Sequence, residues 1–318
     1  MGPYIQRRLI ITVPILVAVT AVVFLLLQFT PGDPLDAYIP PDVSMPAAQR
    51  AALRHALGLD RPLVLRYVFW LRNTVEGNLG YRSTNFQPVG EAIKIHIGPT
   101  LLLMGTGMVI GIVIGLILGV ISALKQYSVL DIVLTVGAFG GISIPAFLAG
   151  LIGLYVFAVL LHWFPAGGIA TPGQPFSLGD LLHHLILPAA LLALNYVAII
   201  MRYTRASLLE VLGEDYMRTG RAKGLRESTV IVVHGLRNAL LPVVTIIGAQ
   251  IPNLLGGAVF LETIFSWPGM GQLYLEGIAA RDYNLIMGIT LILAVAILLA
   301  NLLTDLAYAV IDPRIRYG

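Results

Sequence analysis

Ser143, in the stretch GGISIP, and the adjacent pair His183 and His184 are the residues of this chain whose types could supply a nucleophile and its base. Their setting argues against that chemistry. GGISIP is not a Gly-x-Ser-x-Gly elbow, and Ser143 falls inside a long apolar run whereas the histidines fall at the edge of another. As metal ligands the two histidines leave a helix in different directions, and no further ligands cluster with them. The sequence has no cysteine, which excludes thiolate chemistry and disulfides and leaves the redox compartment unread. It has no GxxxxGK[ST] loop either, so any nucleotide energy must come from a partner. The chain is expected to carry no catalytic residue, metal or cofactor of its own.

The densest charge lies between Glu214 and Pro242, in EDYMRTGRAKGLRESTVIVVHGLRNALLP. Glu214 and Asp215 open it, Arg221 and Lys223 fall in a last turn, and Gly224 follows, which predicts a surface helix of about three turns with a glycine stop. A second helical start at Ser228 or Thr229 runs on toward Pro242, tying the short helix mechanically to the apolar run beyond. Such a charged insert is either a solvated face or a surface made to be touched. Its residues alone leave both readings open.

The elements that must position it are membrane spans. Hydrophobic residues are 57% of the chain and charged ones 12%, against about 25% charged in soluble domains. Six apolar runs, near residues 9–29, 99–123, 132–160, 185–201, 240–261 and 285–308, each approach the ~20 residues that a ~30 Å hydrocarbon core requires. The first run is longer than a signal-peptide core and ends in Pro31-Gly32-Asp33-Pro34 without a small-residue cleavage site, so it is expected to be retained. An even number of spans puts both termini on one side. Arg7, Arg8, Lys125, Arg202, Arg205, Arg218, Arg221, Lys223, Arg226, Arg237, Arg314 and Arg316 share that side, against Arg281 in the short connections of the other. The positive-inside rule makes it cytoplasmic, and the long segment 30–98 is beyond the rule's reach. The basic excess, a formal net charge of +3, is read as topology and headgroup contact and not as nucleic-acid binding.

Within that frame, PAAQRAALRHALGLD predicts a short amphipathic helix ending at Gly58, and RPLVLRYVFWLR sets Leu63, Tyr67 and Trp70 on one helical face before a turn at Gly77 to Gly80. These helices either dock a partner or lie in the headgroup layer with Phe69 and Trp70 as anchors. Gly107, Gly111, Gly115 and Gly119 recur every four residues and predict a packing seam, with its partner in this chain or in another subunit. Pro145, Pro242, Pro252, Gly256 and Gly257 predict kinks. Asn195, Gln250, Asn253, Asn301 and Asp305 are the main polar groups at membrane depth. Asp305 lies near the cytoplasmic end, which gives weak support to a proton-coupled carrier.

EDYMRTGRAKGL followed by HGLRNALLP closely resembles the cytoplasmic coupling motif of binding-protein-dependent ABC importer permeases, in their dipeptide, oligopeptide and nickel branch. The likeness runs along nearly the whole chain: YIQRRL at the start, PGDP after the first span, GLDRPL and GNLGYRS in the outer segment, FSWPGMGQL and RDYNLIMG before the last span, and DPRIR at the end. Two features depart from the general motif. Gly220 stands where alanine is more usual, and the interval between Gly224 and Leu241-Pro242 is longer, as in this branch.

The resemblance implies an all-α, type I importer permease with six transmembrane helices in the cytoplasmic membrane of a prokaryote. The chain divides into a tail and first span (1–29), an extracytoplasmic segment (30–98) and a core (99–318) with a coupling loop at 205–239. Implied partners are a second homologous permease, two ABC ATPases that use ATP and magnesium, an extracytoplasmic binding protein and membrane lipid. ATPase contact falls on Glu214, Asp215, Tyr216, Arg218, Thr219, Arg221, Ala222, Lys223, Gly224 and Leu225. Gln250, Asn253, Gly256 and Gly257 are expected to line the pathway. Trp267, Pro268, Gly269, Arg281 and Asp282 are expected to dock the binding protein, with a plugging re-entrant turn as the alternative for the first three. Di- or oligopeptides are the expected cargo, with nickel chelates, glutathione or oligosaccharides as alternatives.

Overall fold

The computed structural model describes residues 2–29, 33–39, 44–250 and 259–311, and these are helical apart from turns and one isolated bridge between Tyr81 and Pro88. Helix α1 is Gly2–Gln28, α2 Ala47–Ala56, α3 Leu63–Val75, α4 Val89–Leu124, α5 Val129–Ser143 and α6 Ala146–Leu160. Then come α7 Leu178–Leu212, α8 Asp215–Ala222, α9 Glu227–Gln250, α10 Val259–Ile264, α11 Met270–Ala279 and α12 Tyr283–Ile311. Among the described residues, five helices (α1, α4, α7, α9 and α12) are long and apolar enough to cross a bilayer, and α5 with α6 makes a sixth if the pair is one span.

Helices α4 and α7 form the spine. The four glycines at every fourth position of α4 are all buried, and they face α7 residues that are also spaced by four: Leu192, Tyr196, Ile200 and Thr204. A Cβ on Gly115 would come within 2.8 Å of Ile200 Cβ, and one on Gly119 within 2.6 Å of Thr204 Cβ. Gly111 sits closer still beneath Tyr196. Only glycine lets the two backbones approach this closely, and the matched spacing of four is ridges-into-grooves packing. The seam predicted from the sequence therefore closes within this chain.

The third apolar run is broken. Pro145 has no N–H to donate and disfavours helix at the residue before it, and Ile144 is extended at φ −83°, ψ 121°. The two helices on either side, Val129–Gly141 and Ala146–Leu160, lie at 102° to each other. The kink expected at Pro145 is thus a sharp break, and the run 132–160 is a broken span or a re-entrant pair of helices meeting near a right angle. At the start of α5, Arg205 of α7 grips Asp131 with two hydrogen bonds of 2.8 Å, and the Ser122 and Thr135 hydroxyls and the Tyr127 N–H also donate to the carboxylate.

The outer segment folds back on α1. Gly58, Gly77 and Gly80 all have positive φ, ending α2 and turning the chain after α3. Tyr67 tilts on Phe24 and stacks on Trp70, and its hydroxyl donates to the Val17 carbonyl at 3.0 Å. Of the face predicted on α3, Tyr67 and Trp70 are half-buried, whereas Leu63 stays exposed. The first ten residues of α4 lie beyond its apolar run, and their Val89, Ala92 and Ile93 join Met270, Leu273, Leu285 and Ile289 in a buried cluster.

Candidate functional site

Helix α8 starts from Glu214, extended at φ −70°, ψ 149°, and ends in a Schellman motif. The Gly224 N–H donates to the Arg221 carbonyl (2.9 Å) and the Leu225 N–H to the Gly220 carbonyl (3.4 Å), with Gly224 at φ +76°. This closure takes Lys223 out of the helix, so α8 has eight residues and about two turns, not three. All ten residues nominated from the sequence, from Glu214 to Leu225, face outward.

One side chain roots this helix. Met217 is completely buried, with its Cε seated over Gly235 between Val230 and Leu208. Sequence reasoning missed it; the available signal was a lone large apolar residue in the charged stretch DYMRTGRA. Two polar ties supplement the root. Asn238 Nδ2 donates to the Tyr216 hydroxyl at 3.1 Å, and Arg221 binds both oxygens of Glu227 at 2.9–3.2 Å. Both partners lie on α9, which begins at Glu227, slightly before the expected Ser228 or Thr229. Helix α9 then runs without interruption through Pro242 to Gln250, with wider winding over Val230–Leu236.

At the far end of α9, Gln250 lines a cavity of about 210 Å³ together with Asn195, Tyr196, Gly141, Ile144 and Leu261. Two of the few polar groups expected at membrane depth thus share one cavity, beside the break in the third run. Pro252, Asn253, Gly256 and Gly257 lie outside the described residues, as do Pro31, Gly32 and the DPRIR stretch.

A buried carboxylate on α10 locks the turn that follows it. Glu262 is fully buried and accepts from Thr100 Oγ1 (2.8 Å), the Gly271 N–H (2.7 Å) and the Gln272 N–H (3.2 Å). Gly269 lies so close to this carboxylate that no Cβ would fit. Trp267, also fully buried, donates from Nε1 to the Pro99 carbonyl at 2.9 Å. Asp282 is buried too, accepting from the Ser83 and Leu285 N–H groups. Among the five docking candidates the side chain of Arg281 is exposed and Pro268 half-buried, while Trp267, Gly269 and Asp282 face inward.

Ser143, His183 and His184 do not converge. Each bonds a backbone carbonyl, of Phe139, Trp163 and Asp180 respectively. No cluster of three metal-binding side chains occurs among the described residues.

Residues 97–317 match the family described as the inner membrane component of binding-protein-dependent transport systems, and residues 1–89 match that family's N-terminal region. A putative peptide permease of Brucella suis is 54% identical over 314 residues, covering 98% of both chains. The oligopeptide transport system permease protein AppB of Bacillus subtilis is 43% identical over 318 residues, covering all of both. The glutathione transport system permease protein GsiC of Escherichia coli is 38% identical over 314 residues, 99% of each. A crystal structure of an amino acid ABC transporter aligns with TM-score 0.51 at 15% identity, covering 69% of this chain and 93% of that one, and shares the fold. Such permeases are transport subunits without an ATPase site, and their systems include a substrate-binding protein and ATPase partners. With both of its parts matched end to end, the chain belongs to the inner membrane components of binding-protein-dependent transport systems, the multi-pass permease subunits of ABC importers.

Proposed function

We propose that this chain forms half of the translocation unit of an ATP-driven importer of short peptides. It pairs with a second homologous permease, and two ATPase subunits that use ATP and magnesium grip its coupling loop, residues 205–239, in the cytoplasm. Both termini share that side. The segment 30–98 and Arg281 face the binding protein. The observation that carries this reading is the build of α8: ten outward residues on and flanking a helix rooted by Met217 and tied through Tyr216 and Arg221 to α9. A helix held this way moves with α9 as one body when its outer face is displaced. The other end of that body is Gln250, in the cavity shared with Asn195, and the pathway continues through residues 251–257.

The relatives named as peptide and oligopeptide permeases support a peptide cargo. The relative named as a glutathione permease supports a second reading, since glutathione is itself a tripeptide. Uptake of radiolabelled di- and oligopeptides by cells with and without this chain tests the proposal. Unchanged uptake in its absence overturns the peptide reading, and uptake displaced by glutathione in preference to other peptides selects the second.

A further inference from the structure

At the Gln28 end of α1, the helices α1, α2, α3 and the start of α12 enclose a cavity of about 320 Å³. Phe24, Leu27, Phe69 and Trp70 line an apolar wall, and Arg61 and Arg66 contribute charged groups. The charges around it are unevenly spent. Asp33 is held by Arg50 and Arg54, Asp36 by Arg50, Asp60 by His55 and Glu76 by Arg72. Arg82 turns to Glu276 and Asp282.

Arg61 and Arg66 are left without a carboxylate among the described residues. Arg61 lies over the Phe69 ring at 4.5 Å, and Arg66 donates to the Gln28 amide oxygen at 2.9 Å. Arg66 is half-buried, and a half-buried guanidinium without a counter-anion is unfavourable. Burial pushes the Arg66 pKa down from its ordinary value; Tyr283 opposes the shift and the charge of Arg54 adds to it. An anion in the cavity would pair with Arg66 and with the exposed Arg61 beside it.

The position of the cavity selects the anion. Leu25 and Leu26 on α1, Phe29 just after it, and Val64, Leu65 and Val68 on α3 are exposed apolar side chains. In an inner-membrane protein they place the mouth where acyl chains meet headgroups. A soluble anion gains nothing from Phe24, Leu27 and Phe69. A phospholipid gains from both walls, setting its phosphate on the donors and its glycerol and first methylenes on the rings. We propose that this cavity binds the phosphate of an anionic phospholipid, held by Arg61 and Arg66, in the leaflet at the Gln28 end of α1.

Native mass spectrometry of the full chain, purified in mild detergent with its co-expressed partner subunits and titrated with phosphatidylglycerol or phosphatidylcholine, tests this. One phosphatidylglycerol is expected to be retained about tenfold more tightly than phosphatidylcholine. That preference should vanish in R61Q/R66Q, fall in Arg61→Gln alone, and persist in Arg72→Gln, whose arginine pairs with Glu76. If the double variant fails to assemble, Arg61→Gln, at an exposed position, decides. Retained preference in the variants, displacement of the lipid by inorganic phosphate alone, or loss of binding-protein affinity with lipid retention unchanged would each overturn the proposal.

Discussion

Met217 and Gly235 interlock: the methionine Cε occupies the space a side chain on Gly235 would need, 3.1 Å from where its Cβ would lie. This contact joins the outward helix α8 to α9, and it depends on the smallness of one partner. Replacing Gly235 by Leu inserts bulk into a filled site, an overpacking that costs about 1–3 kcal/mol. The variant is expected to insert and assemble but to lose roughly tenfold in peptide uptake per ATP hydrolysed, since ~1.4 kcal/mol is tenfold. Uptake and hydrolysis measured together in proteoliposomes check this, and an unchanged ratio removes the contact from the coupling path.

Gly220 and Gly224 should respond oppositely to alanine. A Cβ on Gly220 meets Val230 and Leu225 at 3.6 and 3.8 Å, ordinary contact distances, so Gly220→Ala should stabilise α8 by about 0.5–1 kcal/mol through helix propensity. Gly224 has open space but sits at φ +76°, where a side chain costs about 1–2 kcal/mol. Amide exchange across Asp215 to Leu225 should slow in the first variant and quicken in the second. A bulky residue at Gly224 is further expected to uncouple hydrolysis from uptake while leaving insertion intact, so normal uptake by an assembled Gly224→Trp variant would count against the coupling role.

Gly111→Val tests the α4–α7 seam. Its Cβ would lie 3.1 Å from the Ala193 carbonyl oxygen and closer to Tyr196, so the helices must separate, at a cost above about 3 kcal/mol because backbone cannot move aside as a rotamer can. Gly98, on the same helix, has nothing within 4 Å of its Cβ position. Gly98→Ala should therefore leave the thermal midpoint in detergent unchanged or raised, while Gly111→Val lowers it sharply or abolishes accumulation of the chain.

Glu262→Ala would leave the Thr100 hydroxyl and the Gly271 and Gln272 N–H groups without their acceptor. At about 1–3 kcal/mol for each unsatisfied buried group, the loss should exceed that of any exposed substitution in the same loop. Limited proteolysis between residues 262 and 282 is the measurement. Protection equal to that of the parent chain would mean that the carboxylate is not what holds the loop.

The outer segment should loosen in acid. Burial raises the Asp33 pKa, but the Leu35 N–H together with Arg54 and Arg50 outweighs it, so the carboxyl titrates below the ordinary aspartate value. A depressed folded pKa means that the carboxylate's stabilisation is complete above the unfolded value and is lost as pH falls through the folded one. Amide exchange in α2 should therefore accelerate below about pH 4, where the unfolded carboxyl begins to take up its proton. In Asp33→Asn this acid step should be absent.

Sequence by itself determined what local chemistry and period determine. Span lengths follow from hydrocarbon thickness, the glycine spacing of four follows from the helical repeat, and the positive-φ stop at Gly224 follows from that residue's freedom. The motif around Glu214 to Pro242 marked the family, and the residues match it across both regions. Tertiary structure alone decided the pairings. Nothing in a glycine stripe names its partner, and α7 was found there because Leu192, Tyr196, Ile200 and Thr204 repeat at the same interval. Met217 against Gly235, Thr100 against Glu262 and Arg205 against Asp131 join residues 18, 162 and 74 positions apart. Trp267 and Asp282, nominated from the sequence as docking residues, are buried in this chain, because the burial of a loop residue depends on which distant elements close over it.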